Sequence, residues 1–532
     1  MLARCSGSAL RGLEAVEVNV EVDIAPGLPG LQLVGLPDAA VQEARERVRA
    51  ALRNSGLRVP LTRVVVSLAP ADLRKAGPGF DLPIALGLLV ASGQMEAERL
   101  AGIWSAAELG LDGRCRPVRG VLAMAMAAHQ AGARGLVVAA ANVREAALVE
   151  GLAVWGAQSL TEVLQILNQP AKAPVVPATV AAATRHPCPD LMDVRGAEHG
   201  RRALEIAAAG GHHLLLVGAA GSGKTMLAKR LPGLLPPLER SEALEVTRLH
   251  SVAGLLAEDG DLISQRPFRA PHHSCSGAAL IGGGSLPVPG ELSLAHHGVL
   301  FLDELAEFRR DTLDLLRQPL EEGEVLISRA RQRCRFPCRV TLIAATNPCP
   351  CGRYGDGDGS CECGEGVRLR YWGRLSGPLL DRLDLQVVMR RPSSQCLTAP
   401  FRSDQARIKE KLSAADLAKP ETSAVVARRV RQARQRMAER NPGRCTNAAL
   451  AGEDLVQTAR LTPEAGHLWQ RAIERRRLSA RSGMRLLRVA RTIADLTGER
   501  QTGAAAISEA LSYRSFDLIQ ASAIAGSGSA CS

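Results

Sequence analysis

The sequence predicts an α/β chain in three parts: an α/β or α+β domain, then a parallel-sheet domain, then a helical domain. Three observations carry this prediction. Residues 14–168 alternate strand-like and helix-like stretches. From Leu191 to Arg391 the order is strand, glycine loop, helix, strand, the rhythm of a parallel sheet with crossover helices. From Ala415 the chain is rich in Arg and Ala at helical spacing, with few strand signals. At 532 residues it is too long for one core, and roughly one domain per 150 residues agrees with three.

The elements follow from local patterning. Residues 16–24 (VEVNVEVDI) alternate apolar and polar side chains, as a half-buried strand does. Residues 38–54 form a charged, Ala-rich amphipathic pattern that predicts a helix, and 63–68 (RVVVSL) a short buried strand. An apolar helix is predicted over 83–91 and another strand over 135–140. The first domain is therefore 1–168. Four prolines and little periodicity make 169–188 a linker. The parallel-sheet domain is 189–392 and the helical domain 393–520, while 521–532, small and polar, read as a disordered tail.

Composition excludes some classes. No apolar run is long enough to span a membrane, and the arginine-containing N-terminus has no continuous apolar stretch of the secretory kind. Thirteen cysteines in such a chain read as reduced thiols, and the expected compartment is the cytoplasm. The 66 Lys+Arg against 54 Asp+Glu leave a net charge of +12. That excess favours a polyanionic partner, although a merely basic protein would show it too.

The chemistry is concentrated in the centre. Leu214–Val217 is a buried strand leading into Gly218, Ala219, Ala220, Gly221, Ser222, Gly223, Lys224 and Thr225. This is G-x-x-x-x-G-K-[ST], and a helix follows. Glycines let backbone N–H groups curl around phosphates, the lysine reaches the β- and γ-phosphates of ATP, and the threonine hydroxyl serves Mg²⁺. A plain glycine turn is the bland alternative, and the strand before and helix after weigh against it. Residues 299–304 (VLFLDE) form an apolar strand ending in two acids. Asp303 is expected to hold Mg²⁺ and Glu304 to polarise the attacking water, the step that separates a hydrolase from a nucleotide binder. The next apolar strand ends at Asn347, placed to orient that water. Beyond it lies Arg382, suited to reach the γ-phosphate held by a neighbouring subunit. A surface ion pair with Asp381 or Asp384 is the competing reading.

Longer motifs bring a resemblance into view. Residues 266–274 (RPFRAPHHS), 279–285 (ALIGGGS) and 289–296 (PGELSLAH), with 347–352 (NPCPCG), 376–384, 478–481 (LSAR) and 487–495 (LRVARTIAD), resemble the ComM/YifB competence proteins. These are magnesium-chelatase-like AAA+ ATPases. The resemblance implies an AAA+ P-loop core with a C-terminal helical lid and a homo-hexameric ring. It implies a motor that uses ATP to drive branch migration on single-stranded and branched DNA during natural transformation. It also implies that Arg382 is the trans-acting finger and that Arg481, or alternatively Arg485, senses the nucleotide.

In the first domain, Lys75–Leu86 and Pro117–Gly132 resemble the nucleophile and base regions of Lon-type proteases, a ribosomal S5 domain 2-like fold. The serine position is Gly79 and the lysine position Leu122, so a Ser–Lys dyad is missing. Protease-like architecture without protease chemistry is expected, as a docking or DNA-contacting module.

Two further features lie outside a plain ATPase. Residues 324–339 (EVLISRARQRCRFPCR) read as a hairpin carrying Arg329, Arg331, Arg333 and Arg335 near its turn. Like charges so close call for a polyanion such as DNA; a solvated charged turn is the alternative. The Gly- and Pro-rich segment 266–290, with His272 and His273, is a candidate second pore loop, the histidines being weak metal ligands. Cys349, Cys351, Cys361 and Cys363 form C-x-C, nine residues, C-x-C. Four thiolates would make a closed structural zinc site, four unligated thiols being the alternative, with Cys334 and Cys338 as competing ligands. A chelatase-type motor acting on a protein partner is the main rival to a DNA motor. The missing dyad weakens an ATP-dependent protease, and Glu304 weakens a non-enzymatic scaffold.

Overall fold

A computed structural model describes residues 2–171, 173, 188–257, 260–284, 287–329, 332–355, 360–391 and 420–514. Most of the expected linker, the boundary at 392/393 and the expected tail lie outside the described residues.

The first domain is a seven-stranded mixed sheet ordered Gly30–Val34, Arg63–Ala69, Glu14–Ala25, Leu2–Arg11, Ile103–Ala106, Gly135–Ala139 and Ala153–Ala157. The alternation at 16–24 is the interior of Glu14–Ala25, where Val18, Val20 and Val22 are fully buried. The strand's antiparallel partner, Leu2–Arg11, turns into it through Gly12 at φ +65°. The helix Ala39–Asn54 starts at Asp38, whose carboxylate accepts a 2.8 Å hydrogen bond from the Val41 N–H. Its buried side chains, Val41, Ala44, Val48, Ala51 and Leu52, recur at three- and four-residue steps on one face. The apolar helix, Asp81–Ala91, is buried on every side.

The central domain holds a five-stranded parallel sheet ordered Phe268–Arg269, Val299–Leu302, Thr341–Thr346, Leu214–Gly218 and Leu385–Met389. Its three inner strands, Val299–Leu302, Thr341–Thr346 and Leu214–Gly218, are buried along their whole length because both faces are covered. Leu214 and Leu216 face the core shared with Val426, Val430, Leu486 and Ile493 of the C-terminal helices. Leu215 and Val217 face the opposite core with Leu300, Leu302 and Leu342. The two-residue strand period thus serves two cores at once. Each fully buried Leu or Val contributes about 1.5–3 kcal/mol.

The C-terminal helices Ser423–Arg440, Gly452–Ala459, Pro463–Arg476, Ala480–Thr497 and Ala504–Ser512 share the first of those cores rather than enclosing a separate one. A buried polar relay reinforces the junction. His212, at the foot of the glycine-loop strand, contacts Asp384 at 3.1 Å and Thr492 at 2.8 Å. Thr492 in turn accepts from Asn447, which also donates to Asp495. The first domain is seated on the centre through Glu145. Its buried carboxylate accepts from the Leu122 N–H and from the Ser251 hydroxyl on the helix Arg240–Ala253.

Candidate nucleotide site

The glycine loop leaves the sheet at the carboxyl end of Leu214–Gly218, beside the central strand Thr341–Thr346, where open parallel sheets bind ligands. Gly218 is obligatory: a Cβ there would lie 2.4 Å from the Met389 carbonyl oxygen. Gly223, at φ +87°, is the left-handed residue from which the helix starts at Lys224. Lys224 is folded into the loop. Its Nζ donates to the carbonyls of Gly218 at 2.6 Å and Ala219 at 2.9 Å, and to Asn347 Oδ1 at 3.2 Å. Glycine loop and central strand are therefore joined through one ammonium group. We expect Lys224→Ala to weaken ATP binding by roughly 10–100-fold, the equivalent of a lost charge-assisted hydrogen bond of about 1.5–3 kcal/mol. Titration with a fluorescent nucleotide checks this, and an unchanged Kd would remove the loop from the site.

The acids sit where the sequence predicts. Thr225 Oγ1 donates to Asp303 Oδ2 at 2.7 Å, so two hard oxygen ligands of the kind Mg²⁺ takes lie side by side. Asp303 also accepts the Glu304 backbone N–H at 2.9 Å. Glu304 itself is at φ +51°, a conformation uncommon outside glycine and often found where a side chain must be aimed. Its Oε2 lies 3.1 Å from Nδ1 of His273. His273 stands in the loop after the edge strand Phe268–Arg269, its ring tilted against that of His272 with centroids 4.1 Å apart. Their local sequence suggests only a pore loop or weak metal ligands, and nothing in it marks this contact. Only the fold brings the edge-strand loop to Glu304.

In the finger region the competing ion-pair reading finds a different partner. Arg382 is paired with neither Asp381 nor Asp384; its Nη2 lies 2.9 Å from Glu321. Its other nitrogens donate to the carbonyls of Arg317 and Pro378, both at 2.7 Å. Asp384 is committed to the interior. Burial raises its pKa, but the hydrogen bond from His212 and the charges of His212, His213 and Arg485 bring it down to about 2. Arg485 is buried as well, 3.7 Å from Asp384, and burial lowers its own pKa. Arg481 is exposed and lies 3.6 Å from Glu321, so the two arginines expected to read nucleotide share one carboxylate. Glu321 carried no recognisable signal in the sequence.

The arginine hairpin forms as predicted, from Glu324–Arg329 and Gln332–Pro337 in antiparallel register. Val325, Ile327, Cys334 and Phe336 are buried, while Arg333 and Arg335 are exposed on the other face. Arg331 and the Arg329 side chain lie outside the described residues. The buried face touches the first domain: a Cβ on Gly12 would lie 3.3 Å from that of Cys334. Leu13 joins the same core as Val325 and Cys334. Cys334 and Cys338 are not competing ligands; both are buried under the hairpin, and Cys338 Sγ meets the Pro319 carbonyl at 3.5 Å. Cys349, Cys351, Cys361 and Cys363 do converge, their sulfurs all within 4.8 Å of one another.

A glycine loop on a parallel sheet, an acidic pair, a polar central-strand end and a helical lid define a magnesium-chelatase-like AAA+ P-loop ATPase. Family models agree. Magnesium chelatase, subunit ChlI, matches residues 190–397, its C-terminal part matches 420–514, and a further model, subunit ChlI of Mg-chelatase, matches 20–142. Competence protein ComM of Haemophilus influenzae is 43% identical over 520 residues, covering 96% of this chain and 97% of its own. Protein YifB of Escherichia coli is 42% identical over 511 residues, 96% of each. An uncharacterised protein of Mycobacterium tuberculosis is 45% identical over 516 residues, 96% of this chain and 98% of its own. The chain belongs to the ComM/YifB family.

Proposed function

We propose that this chain is the subunit of a homo-hexameric, ATP-driven DNA motor that migrates branched junctions in the cytoplasm, helping incoming single strands to integrate during natural transformation. The observation that carries the reading is the hairpin. One face is locked into the core by Val325, Ile327, Cys334 and Phe336, which leaves Arg333 and Arg335 exposed on the other. A rigidly based ridge with arginines along its free side suits a phosphate backbone. The Haemophilus influenzae relative, a competence protein by name, supports the same direction. Among the described residues no helix is long and apolar enough to cross a membrane.

In this reading residues 218–225 cradle the phosphates, with Lys224 released from its loop carbonyls to the β- and γ-phosphates. Thr225 and Asp303 would hold Mg²⁺, which would supply positive charge beside the γ-phosphoryl group. Glu304 accepts the proton of the attacking water while Asn347 orients it. Arg382 and Arg481, on one side of the subunit through Glu321, reach the nucleotide of the next subunit.

The test is ATP turnover by the purified full-length chain with single-stranded and forked DNA, together with unwinding of a four-way junction. DNA-stimulated turnover and ATP-dependent unwinding are expected; turnover indifferent to every nucleic acid would overturn the proposal. One observation favours a second reading, a chelatase-type motor. The magnesium-chelatase 38 kDa subunit of Acidiphilium rubrum is 30% identical over 155 residues, 25% of this chain and 45% of its own. Stimulation by a protein partner and never by DNA would select that alternative.

A further inference from the structure

The loop between the central strand and the finger carries four cysteines whose placement the ATPase reading does not use. Cys349 Sγ lies 3.3 Å from Cys351 Sγ and 3.7 Å from Cys361 Sγ, and Cys351 lies 3.6 Å from Cys361. Zn–S bonds of about 2.3 Å at tetrahedral angles put sulfurs about 3.8 Å apart, so the four thiols fit one such ion. The Tyr354 backbone N–H points at Cys349 Sγ at 3.4 Å, the outer contact that a thiolate ligand uses. Hard-oxygen metals would find no suitable ligands among four sulfurs.

What makes the cluster more than a clip is its neighbours. Cys349 follows Asn347 by two residues, and the turn it begins closes with the Gly352 N–H on the Cys349 carbonyl at 3.0 Å. Gly352 is at φ +74°, and a Cβ there would meet Asn347 Cγ at 3.7 Å and Ala220 Cβ at 3.9 Å. Its carbonyl accepts the Ala220 N–H at 3.3 Å. The cysteine turn is thus wedged between the Asn347 side chain and the phosphate loop. On the far side the Cys363 carbonyl accepts from Arg368, and the Pro348 carbonyl from Trp372. These ties anchor the helix Glu365–Trp372, which leads to the finger turn.

We propose that Cys349, Cys351, Cys361 and Cys363 hold one structural Zn²⁺ that fixes Asn347 against the phosphate loop, so that zinc occupancy is a condition of ATP turnover. Without the ion, four thiols have no shared ligand to hold Cys349 and Cys351 against Cys361 and Cys363. A small displacement of Asn347 then removes the near-attack alignment of water. The proposal rests on the ATPase part of the function and not on DNA.

The experiment uses the full-length chain, purified with reductant and without chelator. Metal analysis is expected to find about one zinc per chain. Cys351→Ser with Cys361→Ser is expected to lose it and to cut kcat roughly 10–100-fold, with ADP affinity within about threefold of the parent. Titrating the parent with a mercurial, while a zinc indicator reports release, covers the case where the variant fails to fold. Zinc release and loss of turnover should coincide, and thiol plus zinc should restore both. No metal, iron in place of zinc, or full turnover after complete zinc release would each overturn the proposal. None of these readouts involves DNA, so a chain that burns ATP without gripping DNA would sink the motor reading and leave this one standing.

Discussion

Glu304→Gln is expected to lose almost all steady-state hydrolysis while the chain still binds ATP. The expected loss in kcat is on the order of 10²–10⁴, the usual contribution of a positioned general base. The substitution is close to isosteric, so it should not disturb the fold at the φ +51° position, where glutamine is no worse placed than glutamate. It leaves Lys224, Thr225 and Asp303 in place, with their contacts at 3.2 Å to Asn347 and 2.7 Å between Thr225 and Asp303. Ground-state affinity should therefore be retained and only the chemical step lost. His273, 3.1 Å from Glu304, can still donate to the amide oxygen. Single-turnover hydrolysis and equilibrium binding of labelled ATP separate the two quantities. Turnover within twofold of the parent would show that another group activates the water.

The parts of this site differ in how visible they are to sequence reasoning. The glycine loop, Asp303, Glu304 and Asn347 are legible because each sits at the end of an apolar run, and a buried parallel strand delivers its next residue to one rim of the sheet. The hairpin is legible from its alternation. Several strands of the first domain are not. Leu2–Arg11 is built largely of small and polar residues, and becomes a strand by pairing along Glu14–Ala25. His273 and Glu321 stay hidden for a related reason. Nothing in their local sequence marks them, and both gain meaning only when distant segments meet, at Glu304 and at Arg382 with Arg481. Convergence of the four cysteines could be anticipated from spacing. Their wedge against Ala220 could not, since it depends on Gly352 adopting φ +74° beside the phosphate loop.

Arg382→Ala is expected to lower kcat by on the order of 10³, the lower range for an arginine supplied in trans, with nucleotide affinity little changed. Within its own chain Arg382 is tied to Glu321 and to the carbonyls of Arg317 and Pro378. Its loss therefore removes local contacts too, and a fall in activity alone would not distinguish a finger from a brace. Mixing resolves the ambiguity. An Arg382→Ala subunit keeps Glu304, and a Glu304→Gln subunit keeps Arg382. In a mixed ring, the interface that combines those two intact residues is a complete site. If each active site is built from two neighbours, equal mixing should place such a site at roughly a quarter of the interfaces. Two inactive proteins should then give activity together that neither has alone. A brace acting within one chain predicts no rescue at any ratio. Glu321→Gln supplies the matching control: freeing both Arg382 and Arg481 from their shared carboxylate should leave the rescue intact if Arg382 works on the next subunit's nucleotide. Absence of rescue with demonstrably mixed rings would end the shared-site mechanism.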